Sequence, residues 1–78
     1  MKLYVGNLPA DTSVQDLEDL LTPYGAVTSA RVLTTRHGGP PRGFGYVEML
    51  KQHAERAISE LNGQRINFMV LRVSKAKS

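Results

Sequence analysis

Three aromatic residues, Tyr4, Phe44 and Tyr46, stand out for the chemistry they could do. Each lies in a short alternating run beside a cation, Lys2-Leu3-Tyr4-Val5-Gly6 in one case and Arg42-Gly43-Phe44-Gly45-Tyr46-Val47-Glu48-Met49 in the other. Flat rings flanked by ammonium or guanidinium groups suit stacking on unpaired bases while the cations meet phosphate, and each such stack is worth roughly 1–3 kcal/mol. No other chemistry has its parts present. The chain has no cysteine, which removes disulfides and thiolate metal sites. His37 and His53 lie far apart without ligand spacing, so the expectation is solvated surface histidines, no metal and no cofactor. No nucleophile sits beside a base, and 78 residues leave little room for both a core and a deep catalytic pocket. A non-enzymatic protein is expected.

The aromatics need elements to hold them. Lys2–Gly6 alternates polar and apolar β-formers and reads as a strand, broken by Asn7-Leu8-Pro9. Ser13-Val14-Gln15-Asp16 resembles a capping box, and Leu17, Leu20, Leu21 and Tyr24 follow at helical spacing, up to a stop at Pro23 and Gly25. Val27–Leu33 reads as a second strand, Thr34–Pro41 as a loop around Gly38-Gly39-Pro40-Pro41, and Gly43–Met49 as a third strand. Lys51–Leu61 presents Ala54, Ala57, Ile58 and Leu61 on one helical face and stops at Asn62-Gly63. Met69–Ser74 is the last strand, ahead of a basic tail over residues 75–78. The order β-α-β-β-α-β predicts an α+β fold over residues 1–78, a ferredoxin-like two-layer α/β sandwich. Its four-stranded antiparallel sheet carries two helices on one face and leaves the other open.

Strand side chains alternate between faces, so parity decides which way the rings point. Leu3 and Val5 oppose Lys2, Tyr4 and Gly6. Gly43, Gly45, Val47 and Met49 oppose Arg42, Phe44, Tyr46 and Glu48. Leu71 and Val73 oppose Val70, Arg72 and Ser74. The purely apolar sets must face the helices. Burying Arg42 and Glu48 unpaired would cost several kcal/mol, about 2–7 for even a neutral polar group, so Phe44 and Tyr46 share a wet face with them. Tyr4 joins them by its company with Lys2. Any one alternating aromatic is most simply a core or cross-strand residue, but three that agree in parity with charged neighbours describe an exposed surface. Gly43 and Gly45 then lack bulk on the core side, and Gly6 lets something approach the sheet closely.

Charge supports this division. Lys and Arg outnumber Asp and Glu by 10 to 7, giving +3. The cations Arg31, Arg36, Arg42, Arg72, Lys75 and Lys77 fall in strand-like and tail segments, whereas Asp11, Asp16, Glu18, Asp19, Glu55 and Glu60 fall in or beside the helices. One layer should be basic and the other acidic. A hydrophobic share of 41% excludes wholesale disorder, and no segment has the length of a membrane span or signal core. An intracellular location is expected, cytoplasmic, or nuclear in a eukaryote.

These residues resemble the RNA recognition motif family. The octamer Arg42–Met49 matches the family's long signature, K/R-G-F/Y-G/A-F-V-x-F/Y, and Leu3-Tyr4-Val5-Gly6-Asn7-Leu8 looks like its short one. Tyr24-Gly25 and Leu61-Asn62-Gly63 extend the likeness over nearly the whole chain. The resemblance implies that Tyr4 and Phe44 stack on bases, that Tyr46 packs on sugar or a further base, and that Arg42 pairs with phosphate. It places Asn7 against nucleic acid, and Arg72, Ser74 and the backbone around Lys75 where base edges are read. With Lys2, these are the expected binding residues. Met49 replaces the final aromatic of the octamer, and its parity puts it in the core. Thr35 stands where the family usually has an acid at the end of the second strand.

The expected partner is therefore single-stranded RNA, bound by a monomer, with no membrane and no small-molecule substrate. The likeness further suggests the small bacterial proteins of this family, the cyanobacterial type included, and a role in post-transcriptional regulation or as an RNA chaperone. Single-stranded DNA is an alternative partner, because stacking tolerates both. A protein-binding module of the same fold is a second alternative, although such relatives often lose the aromatics. An acylphosphatase-like enzyme is a third. It would need a cationic phosphate loop after the first strand, where Asn7-Leu8-Pro9-Ala10-Asp11-Thr12 carries no cation.

Overall fold

The computed structural model describes residues 1–35, 42–66 and 69–76, the side chains of Thr35 and Arg42 excepted. The loop glycines and prolines 38–41, Arg36, His37, Lys77 and the Arg42 side chain lie outside the described residues.

The chain runs β1 (Lys2–Leu8), α1 (Val14–Leu21), a 3-10 turn (Thr22–Tyr24), β2 (Val27–Thr35), β3 (Arg42–Met49) and α2 (Lys51–Leu61). Three short strands follow, β4 (Arg65–Ile66), β5 (Met69–Val70) and β6 (Arg72–Lys75). The main sheet has the order β2-β3-β1-β6, antiparallel at each junction. The chain thus folds as the expected ferredoxin-like α/β sandwich.

Local chemistry sets the helix ends. Ser13 caps α1 with its hydroxyl accepting from the Asp16 backbone N–H at 3.0 Å, and Asp16 returns the favour by accepting from the Ser13 N–H at 3.1 Å. This closes the capping box and satisfies two otherwise orphaned donors. Pro23 enters at the start of the 3-10 turn, and the Gly25 N–H closes that turn on the Thr22 carbonyl. The bounds of α2 match those read from the sequence.

Between the layers lie Leu3, Val5 and Leu8 from β1, Leu17 and Leu21 from α1, Val47 and Met49 from β3, Ala54, Ala57 and Leu61 from α2, and Leu71 and Val73. All are buried, and no polar side chain among the described residues is buried with them. Met49 is a core residue, as its parity required. Gly45 is needed for the layers to meet: a Cβ there would lie 2.6 Å from both the Arg31 carbonyl oxygen and Leu17 Cδ2. Glycine at this position lets α1 rest directly on β3.

Four expectations change. β1 does not stop at Gly6. It continues to Leu8 through an irregularity between Val5 and Leu8, at which Asn7 takes a left-handed φ of 63°. The last strand is divided, because residues 69–70 pair with residues 65–66 as a separate ribbon and only Arg72–Lys75 joins the main sheet. Side-chain and turn hydrogen bonds impose the division. Asn7 Nδ2 donates to the Val70 carbonyl at 2.7 Å, Leu71 N–H donates to the Gln64 carbonyl at 2.7 Å, and Val73 N–H donates to Asn62 Oδ1 at 3.0 Å. β2 is longer than expected and reaches Thr35. His53 is not a solvated histidine: its ring packs on Gly25 and its Nδ1 is buried without a hydrogen-bond partner.

Candidate functional site

Sheet pairing carries the aromatics together. Tyr4 on β1 lies opposite Tyr46 on β3, and Phe44 is two residues further along β3 on the same face. The ring centroids form a nearly equilateral triangle: Tyr4 to Phe44 is 6.1 Å, Tyr4 to Tyr46 is 5.9 Å and Phe44 to Tyr46 is 6.1 Å. The first pair is tilted at 33°, and the others are edge-on at 62° and 88°, the geometry that the ring quadrupoles favour. Each ring is half-buried by its neighbours, and none belongs to the core between the layers. Opposite this face, the helices occupy the other side of the sheet.

Tyr4 does not stand upright. A Cβ on Gly6 would collide with its hydroxyl oxygen and lie 2.6 Å from its Cε2 and Cζ. The close approach that Gly6 permits is therefore by the chain's own Tyr4 ring, laid along the sheet. The platform is flat at this point because residue 6 has no side chain.

Cations border the rings. Lys2 places its Nζ 5.1 Å from the Tyr46 ring centroid, within cation–π range. Arg72 pairs with Gly6 and Ser74 with Tyr4, so both project on the open face from β6, and both are exposed. Arg31 pairs with Tyr46 from β2 and is also exposed. Arg42 occupies the β3 position opposite Thr35.

Two expected residues stand apart from this group. Lys75 pairs with Leu3, a core residue, so its side chain leaves on the helix side and only its backbone borders the open face. Asn7 commits its amide donor to the Val70 carbonyl, which makes it a tie between β1 and β5. Conversely, Ser29, Arg31 and Leu33 of β2, which carry no site signal in the sequence, face Glu48, Tyr46 and Phe44 across the ladder. Their simple alternation with Val27 is broken by a register shift between Val27 and Ser29.

The helical layer carries an ion pair. There Arg56 Nε donates to Glu60 at 2.7 Å, and that hydrogen bond together with the carboxylate's charge holds the guanidinium pKa above its ordinary value. Among the described residues no cluster of His, Cys, Asp and Glu could hold a metal ion, and no helix is long and apolar enough to cross a membrane.

Known proteins share this fold. The family model described as RNA recognition motif matches residues 3–72. The chain is 42% identical over 78 residues to RbpE of Nostoc sp., covering 99% of this chain and 79% of that protein. It is 42% identical over 77 residues to the chloroplastic 28 kDa ribonucleoprotein of Spinacia oleracea, covering 97% of this chain and 33% of that protein. The chain spans about a third of the length of that and similar plant relatives. Among solved structures, the crystal structure of RNA binding protein PG1 superposes with a TM-score of 0.86 at 49% identity, covering 100% of this chain and 95% of that one. The Sxl-lethal protein/RNA complex superposes with a TM-score of 0.85 at 28% identity, covering 99% of this chain and 47% of that one.

Proposed function

The chain belongs to the RNA recognition motif family, and from that premise we propose that it binds single-stranded RNA on the open sheet face, without catalysis, as one module. The observation that carries this reading is the triangle of rings, with centroids 5.9–6.1 Å apart, on the face opposite the helices. Half-exposed aromatic surface of this kind on so small a domain needs a partner. A sheet with such aromatics can stack two or three bases, and the edges of unstacked bases remain free to be read.

The roles follow from position. Tyr4 and Phe44 are the stacking surfaces, with Tyr4 held flat over Gly6. Tyr46 packs a sugar or a further base, with Lys2 at its ring. Arg42, Arg72 and Arg31 meet phosphates around the rim, and Ser74 offers a hydroxyl beside Tyr4. Asn7 acts on RNA indirectly, by holding the β1 end in its bent form, and Lys75 contributes through its backbone. A single platform of this size engages only a few nucleotides, so affinity rests on stacking and falls with salt.

The test is fluorescence anisotropy with short labelled single-stranded RNAs, comparing the wild type with Phe44→Ala/Tyr46→Ala and using DNA of the same sequence as competitor. Loss of the Phe44 stack together with the Tyr46 contact should weaken binding at least about fivefold, at roughly 1–3 kcal/mol per stacked base. A folded double variant that binds RNA as tightly as the wild type refutes the reading.

A further inference from the structure

One acidic residue sits among the cations of the open face. Glu48 is exposed on β3, paired with Lys2 of β1 on one side and Ser29 of β2 on the other. Neither Lys2 nor Arg31 forms an ion pair with it among the described residues. Lys2 instead directs its ammonium at the Tyr46 ring. The carboxylate's one described partner is Ser29, whose Oγ donates to Oε2 at 3.3 Å, long for a hydroxyl donor and easily exchanged. These residues surround a shallow cavity of about 410 Å³, lined by Lys2, Ser29, Ala30, Arg31, Tyr46 and Glu48. That volume lies within the range of small-ligand sites, which runs from about 300 to 1,000 Å³.

A carboxylate on a phosphate-binding surface is repelled by the backbone it faces. A hydrogen-bond donor on the ligand offsets that repulsion. Ionised, it is purely an acceptor with two oxygens. Resting on the RNA-binding reading of this same face, we propose that Glu48 makes this corner a guanine-selective subsite, with Arg31 at its side and Tyr46 as its floor once the Lys2 ammonium moves off that ring to the edge of the base. Guanine alone among the bases presents two adjacent donors, N1–H and the N2 amino group, on its Watson–Crick edge, and these match the two carboxylate oxygens. Adenine and cytosine offer one amino donor next to an acceptor nitrogen. Uracil offers one N–H between two carbonyls, which the carboxylate repels. The remaining O6 and N7 of guanine are acceptors, which arginine and lysine meet best. Arg31 and Lys2 border the same cavity with those donors. Glu48 thus supplies the acceptors, and Arg31 and Lys2 the donors, that complement this one base, with Tyr46 beneath it.

The experiment measures binding of uridine octamers carrying one central guanosine, inosine, adenosine or uridine to the wild type and to Glu48→Gln. Inosine differs from guanosine only in lacking the N2 amino group. The wild type should prefer guanosine to inosine and to uridine by about tenfold, the size of one good bidentate contact. In Glu48→Gln the guanosine-to-inosine ratio should fall to about twofold, and Glu48 is exposed, so the fold is retained. An unchanged ratio in the variant overturns the proposal. So does a wild type that binds all four RNAs equally, or a variant that binds all four more tightly by the same factor, since Glu48 would then be a repelling charge and no reader. Phe44→Ala/Tyr46→Ala on the same RNAs separates the two readings. If the double variant binds as the wild type does, the platform fails and the subsite with it. If it loses binding while the wild type shows no guanosine preference, only the subsite fails.

Discussion

Phe44→Leu separates what a flat ring does for binding from what apolar bulk does for folding. Leucine keeps a large apolar side chain opposite Leu33, its cross-strand partner, but removes the stacking surface. Two ring pairs are lost, both at 6.1 Å. At about 0.5–1.5 kcal/mol each, stability falls by about 1–3 kcal/mol. A domain of 78 residues holds about 4–12 kcal/mol at 0.05–0.15 kcal/mol per residue, so the variant remains folded at room temperature. The melting temperature should drop by about 4–8 °C per kcal/mol, followed by circular dichroism. The loss of one stacked base, about 1–3 kcal/mol, weakens RNA binding about five- to 150-fold. Anisotropy read at least 20 °C below the variant's own melting point keeps unfolding out of the binding curve, a margin of the size set by the expected shift. A variant that melts lower yet binds single-stranded RNA within about twofold of the wild type, against the roughly 1–3 kcal/mol expected for a stack, would show that Phe44 is there for packing and that the stacking argument is wrong.

The same glycine-to-alanine change should give opposite results at two positions. At Gly45 the added Cβ meets the Arg31 carbonyl and Leu17 Cδ2, both at 2.6 Å, and neither the backbone nor a packed leucine can yield easily. Gly45→Ala should therefore cost about 1–3 kcal/mol of stability, read as a lower urea midpoint, and an unmoved midpoint refutes the close packing of α1 on β3. At Gly6 the Cβ meets only the far end of the Tyr4 ring, which can swing away. Gly6→Ala should lower the urea midpoint less than Gly45→Ala does, and weaken RNA binding severalfold by disturbing the stacking surface. Unaltered binding would show that the flat pose of Tyr4 is immaterial.

How far the sequence could be read depended on where the sheet ladder is regular. Along β3 every residue from Gly43 to Met49 follows strict alternation, so parity alone placed Phe44 and Tyr46 on the open face and Met49 in the core. The capping box at Ser13 and the apolar faces of both helices were legible for the same reason, since local hydrogen bonding and helical periodicity act over a few residues. Alternation fails where a strand inserts a residue. In β2 the register shift between Val27 and Ser29 puts Val27 and Ser29 on opposite faces, although they are two apart. Without the shift in view, Val27 and Leu33 share a parity with Arg31, and Ala30 and Val32 share one with Thr28, so neither set reads as core or surface. The partners across the ladder resolve it: Arg31 sits with Tyr46 and Leu33 with Phe44. The division of the last strand had the same origin in long-range contacts, because the bond from Asn7 to Val70 spans 63 residues and leaves no local signal. Lys75 followed a third rule. It lies in a short edge strand whose register with Leu3 carries the side chain to the helix side, while its neighbour Ser74 faces the platform. The register shift between Val27 and Ser29 thus turns Ser29 and Arg31 toward Glu48 and Tyr46 and so builds the corner proposed above as a base-reading subsite.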